Sequence, residues 1–205
     1  MKEESKQKRH AQIANCAYDV LGTSGYSGAS LLTIAKAAKA SNETLYRWYG
    51  GKLGLFEAMI RDNAAETRER LEAAIGSEAD PMQTLKAIAP VLLGMVLGEK
   101  AVLLNRAAAA DPSNELGKAI ARNGRDSLAP LIGNVMARLS TGSGYSHHEM
   151  TDMFISLLIG DLQVRRAIGA MSEPDASYTE ARANTAIDRF ISIIGQPVSS
   201  TAAKS

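Results

Sequence analysis

Residues 30–52 read SLLTIAKAAKASNETLYRWYGGK, and the fold of the chain turns on how this stretch is parsed. Ser30 is a residue type that opens helices, because its hydroxyl accepts from a backbone N–H of the first turn. Behind it Leu31, Ile34, Ala35 and Ala38 recur at helical spacing, which predicts a short helix over 31–38 with one buried face. Ser41 repeats the cap signal and opens a second helix to about Tyr49, with Leu45 and Tyr49 facing inward. Three or four residues separate the two helices. Gly50 and Gly51 end the second one. Lys52 then opens a long helix to about residue 75, carried by Leu55, Phe56, Met59, Asn63, Thr67 and Leu71.

Upstream, Ile13, Cys16, Ala17, Val20 and Leu21 predict a first helix over about 6–21, ended by the three glycines within 22–28. Downstream, residues 76–80 read as the boundary. Asp80 and Pro81 then serve as cap and first helical residue of a helix to about Leu97, bent at Pro90. Another helix reaches Ala110. Asp111 and Pro112 repeat the signal, and the pattern continues to Ser140, kinked or broken at Pro130. After a loop over 141–144, two capping boxes, Ser146 with Glu149 and Ser177 with Glu180, open helices of about 147–170 and 178–194. Residues 196–205 lack periodicity and are expected to be disordered. The fold class is all-α. A three-helix N-terminal domain over 1–52 precedes a larger helical domain over 53–195, entered by the connecting helix 53–75.

Composition narrows the class further. A chain of 205 residues with 45% hydrophobic and 22% charged residues is that of a globular protein. The single cysteine excludes an intrachain disulfide and a cysteine-based zinc site. The N-terminus, charged and without an apolar stretch, is not a signal peptide. The most apolar window, 87–98, is shorter than the roughly 18–20 residues that span a bilayer. A cytoplasmic protein without a membrane partner is expected. Residues 1–62 carry nine Lys/Arg against six Asp/Glu, a mild basic excess on an otherwise slightly acidic chain.

Two short helices joined by a tight turn and packed on a preceding helix form a helix-turn-helix layout, whose second helix enters the DNA major groove. The layout needs a buried face that fixes the inter-helix angle, here Ile34, Ala35, Ala38, Leu45 and Tyr49. It needs small residues at the close approach, here Ala35, Ala37 and Ala38. It also needs a polar outward face on the second helix, here Asn42, Glu43, Thr44, Tyr46 and Arg47.

The stretch from Ile13 to Phe56 resembles the DNA-binding domain of the TetR family of transcriptional regulators. The resemblance is carried by Ile13 with Ala17, Gly25-Tyr26, Ser30, Ile34-Ala35, Ser41, Thr44-Leu45-Tyr46, Tyr49, Lys52, Leu55 and Phe56. It covers about a quarter of the chain. The later segments DPSNELGKAI and LLIGDLQVRRAIG resemble the AefR-like subgroup of the family. The resemblance implies a homodimer held by the last two helices, a ligand-binding C-terminal domain and a palindromic double-stranded operator. A small-molecule effector of unknown identity moves the connecting helix, and the protein leaves its DNA. It assigns DNA contacts to Ser30, Thr33, Ser41, Asn42, Thr44, Tyr46, Arg47 and Lys52. Among these, Tyr46 and Lys52 match phosphate-contacting positions and Thr44 a backbone or base contact. Ser30 and Ser41 are caps first. Asn42 is either an adenine reader or a cap, and Arg47 reaches phosphate or guanine or lies on a solvated face.

The sequence departs from the family pattern at three places. Lys39 stands where many members have glycine, and is expected in the left-handed region. Glu43 brings negative charge to a surface facing a polyanion. Trp48 takes a position often held by histidine. Elsewhere, Cys16 reads as a small buried residue rather than a redox switch. His147, His148, Glu149 and Asp152 read as part of a helix start rather than a metal site. No catalytic constellation, cofactor motif or metal-ligand spacing is present, so the chain reads as a non-enzyme. Apolar faces recur in the last two helices, at Met153, Phe154, Leu157 and Leu158 and at Ala183, Ile187, Phe190, Ile191 and Ile194. A second copy of the chain is their natural partner. The rival readings are a helical small-molecule binder or enzyme with a vestigial DNA-binding motif, and a DNA-binding protein whose C-terminal domain only dimerises.

Overall fold

The apolar positions of the first stretch are buried as their spacing requires. Ile13 and Ala17 are fully out of solvent, and Leu21 nearly so. They belong to α1 (Lys2–Gly28). The computed structural model describes residues 2–76, 80–140 and 144–195. The expected end at Gly22 is passed, and the helix is interrupted instead at Gly25, whose φ of 64° and ψ of 179° are non-helical. Then follow α2 (Leu31–Ala37), α3 (Asn42–Tyr49) and α4 (Lys52–Gly76), close to the predicted spans. Next come α5 (Pro81–Leu97), α6 (Glu99–Ala109) and α7 (Glu115–Ile120). A π-helical stretch, Ala121–Arg125, passes into α8 (Asp126–Leu139). The last elements are α9 (His147–Ile159), α10 (Leu162–Ala167) and α11 (Ala176–Ile194). No strand occurs among the described residues.

Several differences from the expected pattern have local causes. Pro90 and Pro130 sit inside α5 and α8 without ending them. The helix expected over 147–170 stops at Gly160, which adopts φ 51° and ψ −129°, a conformation that glycine reaches without a Cβ penalty. The last helix is capped by Asp175, whose Oδ1 accepts from the Tyr178 N–H at 2.8 Å. Ser177 and Glu180 therefore lie inside α11 and do not form its capping box. Asp111 works over a longer reach than expected. Its Oδ2 accepts from the Leu116 N–H at 3.1 Å and its Oδ1 from the Ser113 hydroxyl at 2.7 Å, so α7 starts at Glu115. The Ser146–Glu149 capping box forms as read, and Asp80 accepts from the Gln83 N–H at 2.9 Å. The expected disordered tail, 196–205, lies outside the described residues.

The chain forms two compact units that do not follow its order. One holds residues 1–65 and 98–127, the other 66–97 and 128–205. The first therefore contains more than the segment 1–52 marked out in the sequence. Its core joins Ile13, Ile34, Leu45, Leu55 and Phe56 to Leu104, Ala107, Leu116 and Ala119. Tyr26 packs edge-on against Phe56 at a centroid distance of 5.2 Å. Each fully buried Leu, Ile or Phe of this core contributes about 1.5–3 kcal/mol.

In the second unit, α11 lies along α5 and α9, and Phe154 meets Phe190 edge-on at 5.6 Å. Met136 and Met150 are fully buried there, ordinary core side chains. Arg166 is buried, with its Nε donating to the Leu97 carbonyl at 2.8 Å and its Nη1 to that of Met171 at 3.1 Å. Among the described residues, no single helix is long and apolar enough to cross a membrane.

Candidate nucleic-acid interface

Helices α2 and α3 begin with the same four-residue device. Ser30 Oγ accepts from the Thr33 N–H at 3.0 Å, and its hydroxyl lies 2.8 Å from that of Thr33. Ser41 repeats both contacts with Thr44, at 3.0 and 2.8 Å. In each hydroxyl pair one O–H donates to the other, which leaves one proton free to donate outward. The structure thus joins Ser30 with Thr33 and Ser41 with Thr44 as two exposed donor sites at two helix starts. Ser41, not Asn42, is the cap of α3. Asn42 is half-buried, and its Oδ1 has no hydrogen-bond partner.

The turn between the two helices depends on Lys39. Its φ is 49°, the left-handed value expected of it. Ala38 and Ala40 N–H groups close back onto the Ile34 and Ala35 carbonyls at 2.9 Å each, and Arg9 Nη2 donates to the Lys39 carbonyl at 2.8 Å. α3 then presents two faces. Leu45 is fully buried, whereas Glu43, Tyr46 and Arg47 are exposed, Tyr46 by 54%. An aromatic residue that open to water on a polar face has no core role to explain it.

The end of α3 is fixed from three sides. Gly54 in the first turn of α4 lies so close that a Cβ there would meet the Tyr49 carbonyl oxygen at 1.9 Å. Lys52 donates from Nζ to the Tyr26 carbonyl and stands 3.7 Å from the centre of the Tyr26 ring. Burial pushes the Lys52 ammonium down, and Asp111 opposes that push. One of its three N–H donors is engaged by Tyr26, so the ammonium proposed for phosphate faces the protein with part of its capacity. Third, the Tyr49 hydroxyl lies 2.6 Å from His10 Nδ1, and His10 Nε2 lies 2.5 Å from Asp62 Oδ2. This chain ties α1, α3 and α4 together.

Sequence reading missed His10, Asp62, Gly54 and the groove beside them. The available signals were slight: a polar tip on the inward-facing Tyr49, and Lys6 with His10 one turn apart on α1. Cys16 is half-buried against the core, consistent with a packing role.

The fold and this face together define an all-α protein with a helix-turn-helix reading head. Residues 13–59 match the family model described as bacterial regulatory proteins, tetR family. The HTH-type transcriptional regulator BetI of Paraburkholderia phytofirmans is 31% identical over 87 residues, which cover 40% of this chain and 43% of that protein. The match thus spans less than half the length of this relative. A TetR transcriptional regulator from Agrobacterium tumefaciens has a similar structure, with a TM-score of 0.64 at 25% identity over 90% of this chain and 93% of that one. The transcriptional regulator FadR from Bacillus subtilis, solved in complex with stearoyl-CoA, gives a TM-score of 0.70 at 15% identity, covering 89% and 98%. At that identity, the likeness concerns the fold alone.

Proposed function

We propose that the protein is a dimeric, sequence-specific DNA-binding regulator, a repressor released from a palindromic operator by a small molecule. One observation carries this reading: within a segment that matches the tetR family model, α3 buries Leu45 and turns Glu43, Tyr46 and Arg47 outward behind a serine cap. A helix so exposed on one side has the dimensions of the major groove. The phosphate contacts fall to Ser30, Thr33, Ser41, Tyr46, Arg47 and Lys52, and base reading to Asn42 and Thr44. It is not an enzyme on this reading, and it works in the cytoplasm, where its DNA is.

The effector belongs to the second unit. Leu71, Thr84, Leu85, Ile88, Leu92 and Phe154 line a narrow, mostly apolar seam of about 10 Å³, room for no more than a water-sized probe. An effector must part these helices to enter. Leu71 lies on α4, the same continuous helix that begins at Lys52, and parting the seam displaces that helix. The seam's apolar walls favour an apolar effector, and the stearoyl-CoA complex of FadR supports that chemistry. The AefR-like resemblance of this part of the chain belongs to the same proposal. Dimerisation falls to the last helices, where Val164, Ile168 and Ile191 remain exposed by 62%, 72% and 39%.

The test is capture of sheared genomic DNA from the source organism on the purified full-length chain at moderate salt, followed by sequencing. A recovered palindrome with half-sites about one helical turn apart is the expected result. Weak retention without sequence preference overturns the reading.

A further inference from the structure

A groove of about 460 Å³ runs between the start of α1 and the end of α3, lined by Lys6, Gln7, His10, Arg47, Trp48 and Tyr49. None of these residues is acidic. Among the described residues, no ion pair engages Lys6 or Arg47. Arg47, one of the residues assigned to DNA, forms a wall of this groove. We propose that this groove is a second, proton-linked contact for the DNA backbone, in which Lys6, Arg47 and the Tyr49 hydroxyl hold a phosphate and His10 sets the direction of the Tyr49 proton. The proposal rests on the DNA-binding reading above.

Asp62, ionised, only accepts, so a neutral His10 carries its hydrogen on Nε2 and points it at Asp62. Nδ1 is then an acceptor, and Tyr49 donates its only hydroxyl proton inward to it. A protonated His10 carries hydrogens on both nitrogens. Nδ1–H now donates to the Tyr49 oxygen, and the Tyr49 proton turns out of that contact into the groove. One proton taken from water thus supplies the groove with a donor and a positive charge. Tyr49 keeps its own proton throughout this range, because burial and then Asp62 push its hydroxyl up to about 12. Imidazole is the side chain whose ordinary titration falls between pH 5 and 8.

Several charged or titratable groups face His10. Asp62 of α4 faces the imidazole at Nε2. Lys6 of α1 and Arg47 of α3 line the groove with it, and Lys100 of α6 lines the cavity on the other side, which His10 and Asp62 line together with Tyr18. A phosphate seated between Lys6 and Arg47 places negative charge beside His10. DNA therefore favours the proton and, by linkage, the proton favours DNA.

The experiment measures affinity of the full-length chain for a 30-bp duplex (about three turns) carrying the captured palindrome, at constant ionic strength from pH 8 to pH 5.5. The expected result is about tenfold tighter binding at the acid end, with the slope lost in His10→Gln and reduced in Tyr49→Phe. A role in holding the fold alone would lower affinity equally at every pH. The double variant His147→Gln/His148→Gln, in the other unit, keeps the wild-type slope. A flat wild-type profile, or an unchanged slope in His10→Gln, overturns the proposal. Failure to prefer the palindrome over a scrambled duplex at any pH overturns the DNA-binding reading itself, and this proposal with it.

Discussion

The ammonium of Lys52 donates to the carbonyl oxygen of Tyr26 and lies 3.7 Å from the centre of that residue's ring. The first residue of α4 thereby holds the segment that follows the break in α1. With one donor spent on Tyr26, two remain for a DNA phosphate. Lys52→Ala is expected to weaken binding to all duplexes alike and to reduce the salt slope by about one. An equilibrium titration over a range of salt concentrations checks it, and an unchanged slope would confine Lys52 to the Tyr26 contact.

Thr44 and Asn42 are expected to behave differently from Lys52. Replacing either with alanine should alter which base pairs are preferred, at about 1–3 kcal/mol per affected position. Selection from a randomised duplex pool reads this directly. Uniform weakening without a change of consensus would make both of them positioning contacts.

Glu43 stands in the first turn of α3, where its charge suits the helix N-terminus and opposes the phosphates. Glu43→Gln is expected to tighten binding to arbitrary DNA several-fold while lowering the helix's own stability by about 0.3–1 kcal/mol. Paired measurements on specific and scrambled duplexes, with a thermal melt, separate the two effects. A variant that gains affinity only for one sequence would make Glu43 a base reader.

Gly54 is expected to tolerate no side chain. An alanine Cβ would sit 1.9 Å from the Tyr49 carbonyl, so α3 and α4 must separate. A loss of about 1–3 kcal/mol in chemical denaturation is expected, as for other overpacked sites. A melt indistinguishable from wild type would show that α3 and α4 can part here without cost.

Acid should act through Asp111. The Ser113 hydroxyl, the Leu116 and Ser113 backbone N–H groups and the Lys52 charge hold its carboxyl below the ordinary 3.8, against a smaller effect of burial. A carboxylate with a depressed value adds stability above its unfolded-state value, and that stability is lost as pH falls through the folded one. The wild type is expected to lose stability below about pH 4 more steeply than Asp111→Asn. Parallel denaturation curves at pH 3 and pH 7 test this, and equal acid sensitivity of the two proteins would show that Asp111 carries none of the acid response.

The sequence discloses what is decided within a few residues. Ser30, Ser41, Asp80 and the Ser146–Glu149 box cap the helices that their chemistry announces, and Lys39 takes the left-handed turn. Local signals fail where two of them compete. Asp175 displaces Ser177 as a cap, and Gly160 breaks a pattern whose apolar spacing runs past it. The helix continues past Gly22 because a single glycine costs only about 1 kcal/mol in a helix interior. The candidate interface is legible to the extent that its serines cap as read and the polar face of α3 is exposed. The chain from Tyr49 through His10 to Asp62 is not, since its links are 39 and 52 residues apart and only the packed structure brings them together.

The first unit draws residues 98–127 back onto the segment that carries the reading helix. Leu104, Ala107, Leu116 and Ala119 complete the core that Ile13, Ile34 and Phe56 begin. The reading head is therefore not a detachable cassette. Moved onto another body, the first 65 residues would bring an open apolar wound where those four side chains belong. On the proposed DNA-binding reading, operator specificity is to be exchanged by changes on the surface of α3, or by carrying the returning segment along with it.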